Sequence, residues 1–200
     1  MELLEKKQKS RDDLKNNILQ IAISLVENDG WNALSMRKIA NQIDYSVPVI
    51  YEYFDSKEVL LDELRQKGFE ILNKYLRKSI ETEKAPQKMI TNLAKSYWNF
   101  AMEFPSYYQL MFNYDFIQID RKDGVAENNV TISIFKDAIH WLAPNSRYDE
   151  ELSMELVDYL LALLHGMITL ANNKSIFDKN FEFNKLKKAT ERFIRSVSSY

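Results

Sequence analysis

Hydrophobic residues recur at helical spacing along most of the 200-residue chain, and the gaps between periodic stretches divide it into about nine helices. The first stretch, Arg11 to Asn28, places Leu14, Ile18, Ile21, Ala22 and Leu25 on one face, and Asp29-Gly30 stops it with Gly30 as C-cap. Residues 1–10 read either as a frayed basic arm or as an extension of that helix. Trp31 and Leu34 read as core residues that lock this helix onto the next two. Ser35 is a plausible N-cap for a helix whose apolar face is Met36, Ile39, Ala40 and Ile43. Asp44-Tyr45 breaks the pattern, and Asp tolerates left-handed backbone better than most residues. Ser46 can cap a second short helix with Pro48 in its first turn, where a missing N–H costs nothing. Ile50, Tyr51 and Phe54 supply its inward face, Asp55-Ser56 closes the unit, and Lys57 opens the next helix.

The remaining pattern is also helical. Lys57 to about Thr82 forms one long amphipathic helix through Leu60, Leu61, Leu64, Phe69, Leu72, Leu76 and Ile80. A polar break from Glu83 to Gln87 precedes a helix lined by Met89, Leu93, Tyr97, Phe100, Ala101 and Phe104. Pro105 interrupts, and residues 107–112 follow as a short aromatic helix. Residues 113–126 carry little pattern and read as a loop. Ile132, Phe135, Ile139 and Leu142 mark a helix over 127–142 that ends before Pro144. Asp149 to Asn173 puts Leu152, Leu156, Leu160, Leu163, Met167 and Leu170 on one side, with the small residues Ala162, Gly166 and Thr169 on another. A last helix over 184–198 turns Leu186, Ala189, Phe193, Ile194 and Val197 inward.

Composition changes this picture little. Apolar residues make up 46% of the chain, enough for a packed core, while four glycines and four prolines favour helix over turn-rich β structure. Cysteine is absent, which excludes disulfides, thiolate zinc sites and cysteine nucleophiles and fits a reducing cytoplasm. The charged N-terminus has no apolar signal region. The longest apolar run, about Leu156 to Ala171, contains Asp158 and His165 and reads as too short and too polar to span a membrane. The net charge of −2 argues only against broad non-specific DNA binding, because affinity depends on where the cations sit. Lys6, Lys7, Lys9, Arg11 and Lys15 cluster at the start, and Arg37, Lys38 and Lys57 flank the paired short helices.

Two short helices joined by a tight turn describe a helix-turn-helix, whose second helix presents its N-terminal residues to base edges in the major groove. The alternative from spacing alone is an ordinary αα-hairpin. The residues carry more: Gly30-Trp31-x-x-Leu34-Ser35-Met36-Arg37-Lys38-Ile39-Ala40, then Tyr45-Ser46, then Ile50-Tyr51-x-Tyr53-Phe54-x-x-Lys57-x-x-Leu60-Leu61. This pattern resembles the DNA-binding domain of the TetR (tetracycline-repressor-type) family of bacterial transcription regulators. Asp44 stands where the family usually has glycine, Ser35 where it has threonine, and Glu52 where a basic or polar residue is common. Glu52 is expected to face away from phosphate or to read a cytosine amino group. Leu163-Leu164-His165-Gly166-Met167 and Pro105-x-x-Tyr108-x-Leu110-Met111-Phe112 resemble one recurring subtype of that family's C-terminal domain.

The resemblance implies an all-α protein with a helix-turn-helix domain over residues 1–56 and a helical effector-binding and dimerisation domain over 57–200. It implies DNA contacts from Ser35, Arg37, Ser46, Val47, Pro48, Val49, Tyr51, Tyr53 and Lys57, and a role for the N-terminal arm in the minor groove, beside the plainer reading of a solvated tail. It implies a small, mostly apolar effector among Tyr97, Trp98, Phe100, Phe104, Tyr108, Met111, Phe112 and Phe135; each of these residue types is also an ordinary core filler. It implies a homodimer through the last two helices, with Ala162, His165, Gly166, Thr169, Phe193 and Val197 at the interface. The expected protein is a cytoplasmic regulator, commonly a repressor, released from a palindromic operator by its effector, with no cofactor and no membrane partner.

An enzyme is the competing class. His140 and His165 are the only histidines, on different helices and without a paired carboxylate motif. No phosphate loop, metal spacing or nucleophile elbow is present, and Asp115, Asp120 and Asp123 lack calcium-loop spacing. A helical ligand-binding dimer that has lost DNA binding is the remaining alternative, kept open by Glu52 and the mild acidity.

Overall fold

The computed structural model describes residues 2–112, 126–142, 150–172 and 183–198. Nine α-helices and one 3₁₀ turn, at Trp31–Ala33, make up the described structure: α1 Glu2–Asp29, α2 Met36–Gln42, α3 Val47–Tyr51, α4 Lys57–Ile80, α5 Pro86–Glu103, α6 Pro105–Phe112, α7 Ala126–Leu142, α8 Glu150–Asn172 and α9 Phe183–Ser198. The protein is all-α, as its periodicity predicts. α1 already begins at Glu2, so the N-terminal residues extend the helix and do not form a separate arm. The loop expected over 113–126 lies, except for Ala126, outside the described residues, as do Asp115, Asp120, Asp123 and Pro144.

The chain folds as two compact units. The first runs to Gly68 and takes in the segment that begins at Ser106; the second holds Phe69–Pro105 and the C-terminal helices. The first unit therefore ends inside α4, not at the helix start near residue 57 where the pattern breaks. The physical reason is that an unbroken helix has two ends that can pack on different neighbours. Leu60, Leu61 and Leu64 join the first core, while Phe69, Leu72 and Leu76 are buried further along the same helix.

The first core is built from Ile18, Ala22 and Val26 of α1, Leu34, then Met36, Ile39 and Ala40 of α2, with Ile50, Phe54 and the start of α4. Leu110 of α6 completes it from far along the sequence. Gly68 gives α6 room against α4: a Cβ at that position would stand 2.6 Å from the Met111 sulfur and 3.3 Å from a Tyr107 ring carbon. Burial, and then the charge of Glu27, push the Tyr107 phenol above its usual pKa. Pattern alone gives α6 to the C-terminal domain; its side chains join the N-terminal core instead.

In the second unit α5 packs on α7, α8 and α9. Its buried face is Ile90, Leu93, Ala94, Tyr97, Trp98, Phe100 and Ala101. A buried polar pair links α4 to α7, with the Thr131 hydroxyl donating to Asn73 Oδ1 at 2.7 Å. α8 corrects its expected face. Ser153, Val157, Leu160, Leu164 and Ile168 are buried, whereas Leu152, Leu156, Leu163, Met167 and Leu170 are half-buried. Apolar residues surround most of this helix, so periodicity has no polar side from which to read the inward one. In α9, Leu186, Thr190, Ile194 and Val197 face inward and Ala189 and Phe193 are half-buried.

α8 also exceeds the expectation for membrane length. By length and composition alone it is long and apolar enough to cross a bilayer, with mean hydropathy 1.5 over its best window and 22% of that window buried. One such helix is weak evidence of a span, since core helices meet the same standard.

This packing sets two expectations for stability. Leu110→Ala should cost about 2–5 kcal/mol, and native-state hydrogen exchange should show the lost protection in α1 to α3 as well as in α6. Asp44, at φ 57°, holds left-handed backbone; Asp44→Gly should raise stability by about 0.5–1 kcal/mol in thermal unfolding.

Candidate nucleic-acid interface

α2 and α3 are set by their caps. Ser35 has extended backbone, and its Oγ accepts from the Lys38 N–H at 3.2 Å, so its hydroxyl closes the first turn of α2. At the other end Ile43 is the C-cap and Asp44 turns left-handed. The Tyr45 N–H then donates to the Ala40 carbonyl at 3.0 Å, the bond that seals a Schellman turn. Ser46 occupies the N-cap position of α3 with extended backbone but makes no side-chain capping bond. The sequence expectation of a Ser46 cap therefore holds for the backbone and fails for the hydroxyl, which stays exposed.

Ile50 is fully buried in α3 and Phe54 just beyond it. Their burial turns the opposite side of the segment outward. Tyr45 is 47% exposed and Tyr51 46%, and Ser46, Pro48 and Glu52 are exposed with them. Tyr51 is thus no inward residue, because the inward direction at that turn is taken by Ile50 and Phe54. Val47 is half-buried and packs on the core, as does Tyr53, while Val49 is half-buried. The outward surface is therefore more aromatic and less valine than the spacing suggests.

Cations frame this surface. Arg37 is exposed, while its neighbour Lys38 pairs with Asp29 at 3.1 Å. Lys57 is half-buried at the first position of α4. The Ser56 hydroxyl accepts from the Val59 N–H at 3.3 Å. A backbone hydrogen bond at Glu58, and then its contact with Ser56, hold the Glu58 carboxyl below the usual carboxylate range. Part of the anion-binding capacity of that helix end is thus already filled. On α1, Lys15 pairs with Glu63 at 2.6 Å and its Nζ stands 5.6 Å from the Phe54 ring centre. One turn earlier the Arg11 guanidinium stands 5.7 Å from the Tyr53 ring centre. Arg11 and Tyr45 are the surface residues that the expected DNA contacts omit. Tyr45 was visible in the Tyr45-Ser46 part of the motif, whereas the Arg11 contact joins residues too far apart for any spacing rule.

The eight expected effector residues are divided between the two units. Tyr97, Trp98, Phe100, Phe104 and Phe135 belong to the second unit; Tyr108, Met111 and Phe112 belong to the first. Tyr97 and Phe135 are buried edge-to-face at 6.2 Å, and Phe104 meets Tyr75 at 5.7 Å. The Tyr108 and Phe112 rings meet at 4.8 Å, tilted by 47°. A cleft of about 380 Å³ between α5 and α9 is lined by Gln87, Lys88, Thr91, Glu191, Ile194 and Arg195, none of them an expected effector residue. Of the expected interface residues, Ala162 and Thr169 are exposed, and His165, Gly166 and Phe193 are half-buried. Val197 is buried by its own chain and is not offered to a partner. Burial also pushes the His165 imidazole pKa down. No cluster suited to a metal ion occurs among the described residues.

Residues 18–64 match the family model "Bacterial regulatory proteins, tetR family", and residues 90–197 match "Tetracyclin repressor-like, C-terminal domain". The chain belongs to the TetR family. It is 22% identical over 154 residues to the HTH-type transcriptional regulator YobS of Bacillus subtilis, covering 76% of each chain. It is 28% identical over 97 residues to an HTH-type regulator of Haemophilus influenzae, matching 48% of this chain and spanning about half (52%) of that relative's length. Its fold is shared by a Rhodococcus sp. RHA1 protein of unknown function, with TM-score 0.80, 21% identity and coverage of 92% and 95% of the two chains. PfmR of Thermus thermophilus, a TetR family transcriptional regulator, superposes with TM-score 0.64 at 16% identity, covering 91% and 97%. The TetR membership makes this chain a DNA-binding regulator with a helix-turn-helix at its N-terminal end and a TetR-like helical C-terminal domain.

The two serines should separate by their caps. Ser35→Ala should lower stability by about 1 kcal/mol in denaturant unfolding, while Ser46→Ala should leave the midpoint unchanged.

Proposed function

We propose that the protein is a cytoplasmic transcriptional repressor that binds a palindromic operator as a homodimer and is released by a small, mostly apolar effector. The observation that carries the reading is the outward display of Tyr45, Ser46, Pro48 and Tyr51 over a segment whose other side is pinned by Ile50 and Phe54. Ser46, Pro48 and Val49 are the base-edge candidates, with the apolar groups suited to a thymine methyl. Tyr51, Arg37 and Lys57 are assigned to the backbone, where hydroxyl and cationic groups position the helix, while half-buried Tyr53 packs on the core. Ser35 acts through its cap, and Val47 seats the helix on its core. Glu52 is exposed and is assigned to the flank away from phosphate.

Dimerisation rests on α8. A helix this apolar with 22% of its best window buried leaves a stripe that water does not favour. Tyr159, 59% exposed, and the neighbouring Ala162, Leu163, Gly166 and Thr169 are available to a second copy. A Cβ on Gly166 would meet nothing within 4 Å among the described residues, which supports close approach of a second helix there. Two helix-turn-helix units held about 34–36 Å apart read successive major grooves and add their binding energies. The effector is assigned to the second unit, whose interior holds the Tyr97–Phe135 ring pair and the Asn73–Thr131 hydrogen bond as apolar and polar recognition elements. A ligand that favours a different separation of the two reading units draws the population off DNA by its affinity difference.

Two substitutions should come apart. Tyr51→Ala should weaken binding to duplexes selected from a randomised pool by about tenfold or more, with sedimentation still showing a dimer. Gly166→Phe should keep the helical signal and melting cooperativity of the chain, shift sedimentation to monomer and weaken the same DNA binding. A reporter driven by a promoter carrying the selected site should be silenced by the unaltered chain; activation would reverse the sign assigned to the output.

A further inference from the structure

Arg11 and Lys15 stand one turn apart on α1, and each lies over an aromatic ring of the segment that follows α3. Their charges have different fates. Lys15 is joined to Glu63 at 2.6 Å and ties α1 to α4. Arg11 is exposed and takes part in no ion pair among the described residues, and its guanidinium sits 5.7 Å from the centre of the Tyr53 ring. Asp12, the nearest acid in sequence, accepts from the Gln8 amide at 3.0 Å. Tyr53 is itself fixed, because it packs on the first core and its N–H donates to the Ile50 carbonyl at 3.1 Å. A flexible cation is thereby held at a set place beside the segment that carries Tyr51, two residues before Tyr53.

We propose that Arg11 is a DNA-backbone contact, that Tyr53 is its positioning residue, and that α1 therefore lengthens the footprint of each half-site beyond the helix-turn-helix. The proposal rests on the DNA-binding reading above and gives the Tyr53 ring a different task from direct contact. An arginine over an aromatic face keeps its N–H groups free in the ring plane direction, ready for phosphate oxygens. Holding the side chain in place before binding removes the ordering cost that an exposed arginine otherwise carries. A phosphate contact of this kind reads no sequence, so its effect is uniform over specific and non-specific DNA.

The salt dependence of binding is the readout that a merely structural role would not move. Each lost phosphate contact lowers the slope of log K against log salt by about 0.9. Arg11→Gln, at one copy per protomer, should therefore lower the slope by about 1.8 for a dimer, and weaken a pool-selected duplex and a mixed-sequence duplex by the same factor. Arg11→Lys should keep the slope and lose part of the affinity. Tyr53→Phe should match the unaltered chain, and Tyr53→Leu, checked for retained helicity and melting, should weaken binding in a way that does not add to Arg11→Gln. An unchanged slope in Arg11→Gln, with Tyr51→Ala still impaired, overturns this inference and leaves the regulator reading standing. A Tyr53→Phe variant as weak as Arg11→Gln means the hydroxyl makes the contact and overturns the positioning role. Failure of the unaltered chain to bind either duplex overturns both readings.

Discussion

The burial of Ile50 and Phe54 is the constraint on which the proposed reading surface depends. α3 has five residues, too few for a helix to persist in water by its own hydrogen bonds. Its orientation comes from these two side chains, which meet Ile18, Ala22, Leu34, Ile39 and Leu64 in one core. Fixing them fixes the opposite side, and that side is Tyr45, Ser46, Pro48 and Tyr51. Rigid presentation of a few side chains is worth more to recognition than additional contacts made by a mobile loop, because the ordering cost is met during folding. Arg11 and Lys15 extend the same logic to charge, with aromatic rings of the core segment as their seats.

The second theme is that the chain passes back and forth between the two units. α4 runs from one to the other at Gly68, and the chain returns to the first unit at Ser106 to place Leu110 in its core. Among the described residues the N-terminal unit is thus tied to the C-terminal part of the chain by covalent crossings at 68–69 and 105–106. Within the first unit Gly68 leaves room for α6 beside α4, since a larger residue would press on the Met111 sulfur. A change in α5 has a short covalent path to the core beneath the reading surface.

α8 presents the opposite situation, a helix whose chemistry its own chain does not exhaust. Ser153, Val157, Leu160, Leu164 and Ile168 face the protomer core, and further apolar residues remain half-buried on its other sides. The dimer proposed above would cover that surplus with a second copy, the small residues Ala162 and Gly166 allowing close approach of its helix.

Much of this protein was already written in its residue order. Periodicity gave an all-helical chain and placed its helices, because apolar spacing near 3.6 residues survives without knowledge of neighbours. Gly30, Ser35, Asp44 and Pro48 announced the turns and caps through their own backbone preferences, and the spaced motif from Gly30 to Leu61 pointed to the TetR family that the whole-chain comparisons establish. What the tertiary structure alone decided are matters of partner and direction. Tyr51 faces outward because Ile50 and Phe54 already fill the core. α6 joins the first unit because Leu110 finds its apolar neighbours there, and α8 turns a different stripe inward than its leucines suggest. Arg11 meets Tyr53 across forty-two positions of chain. Packing is a competition among all apolar faces at once, and a linear pattern names the competitors without showing which pairs form.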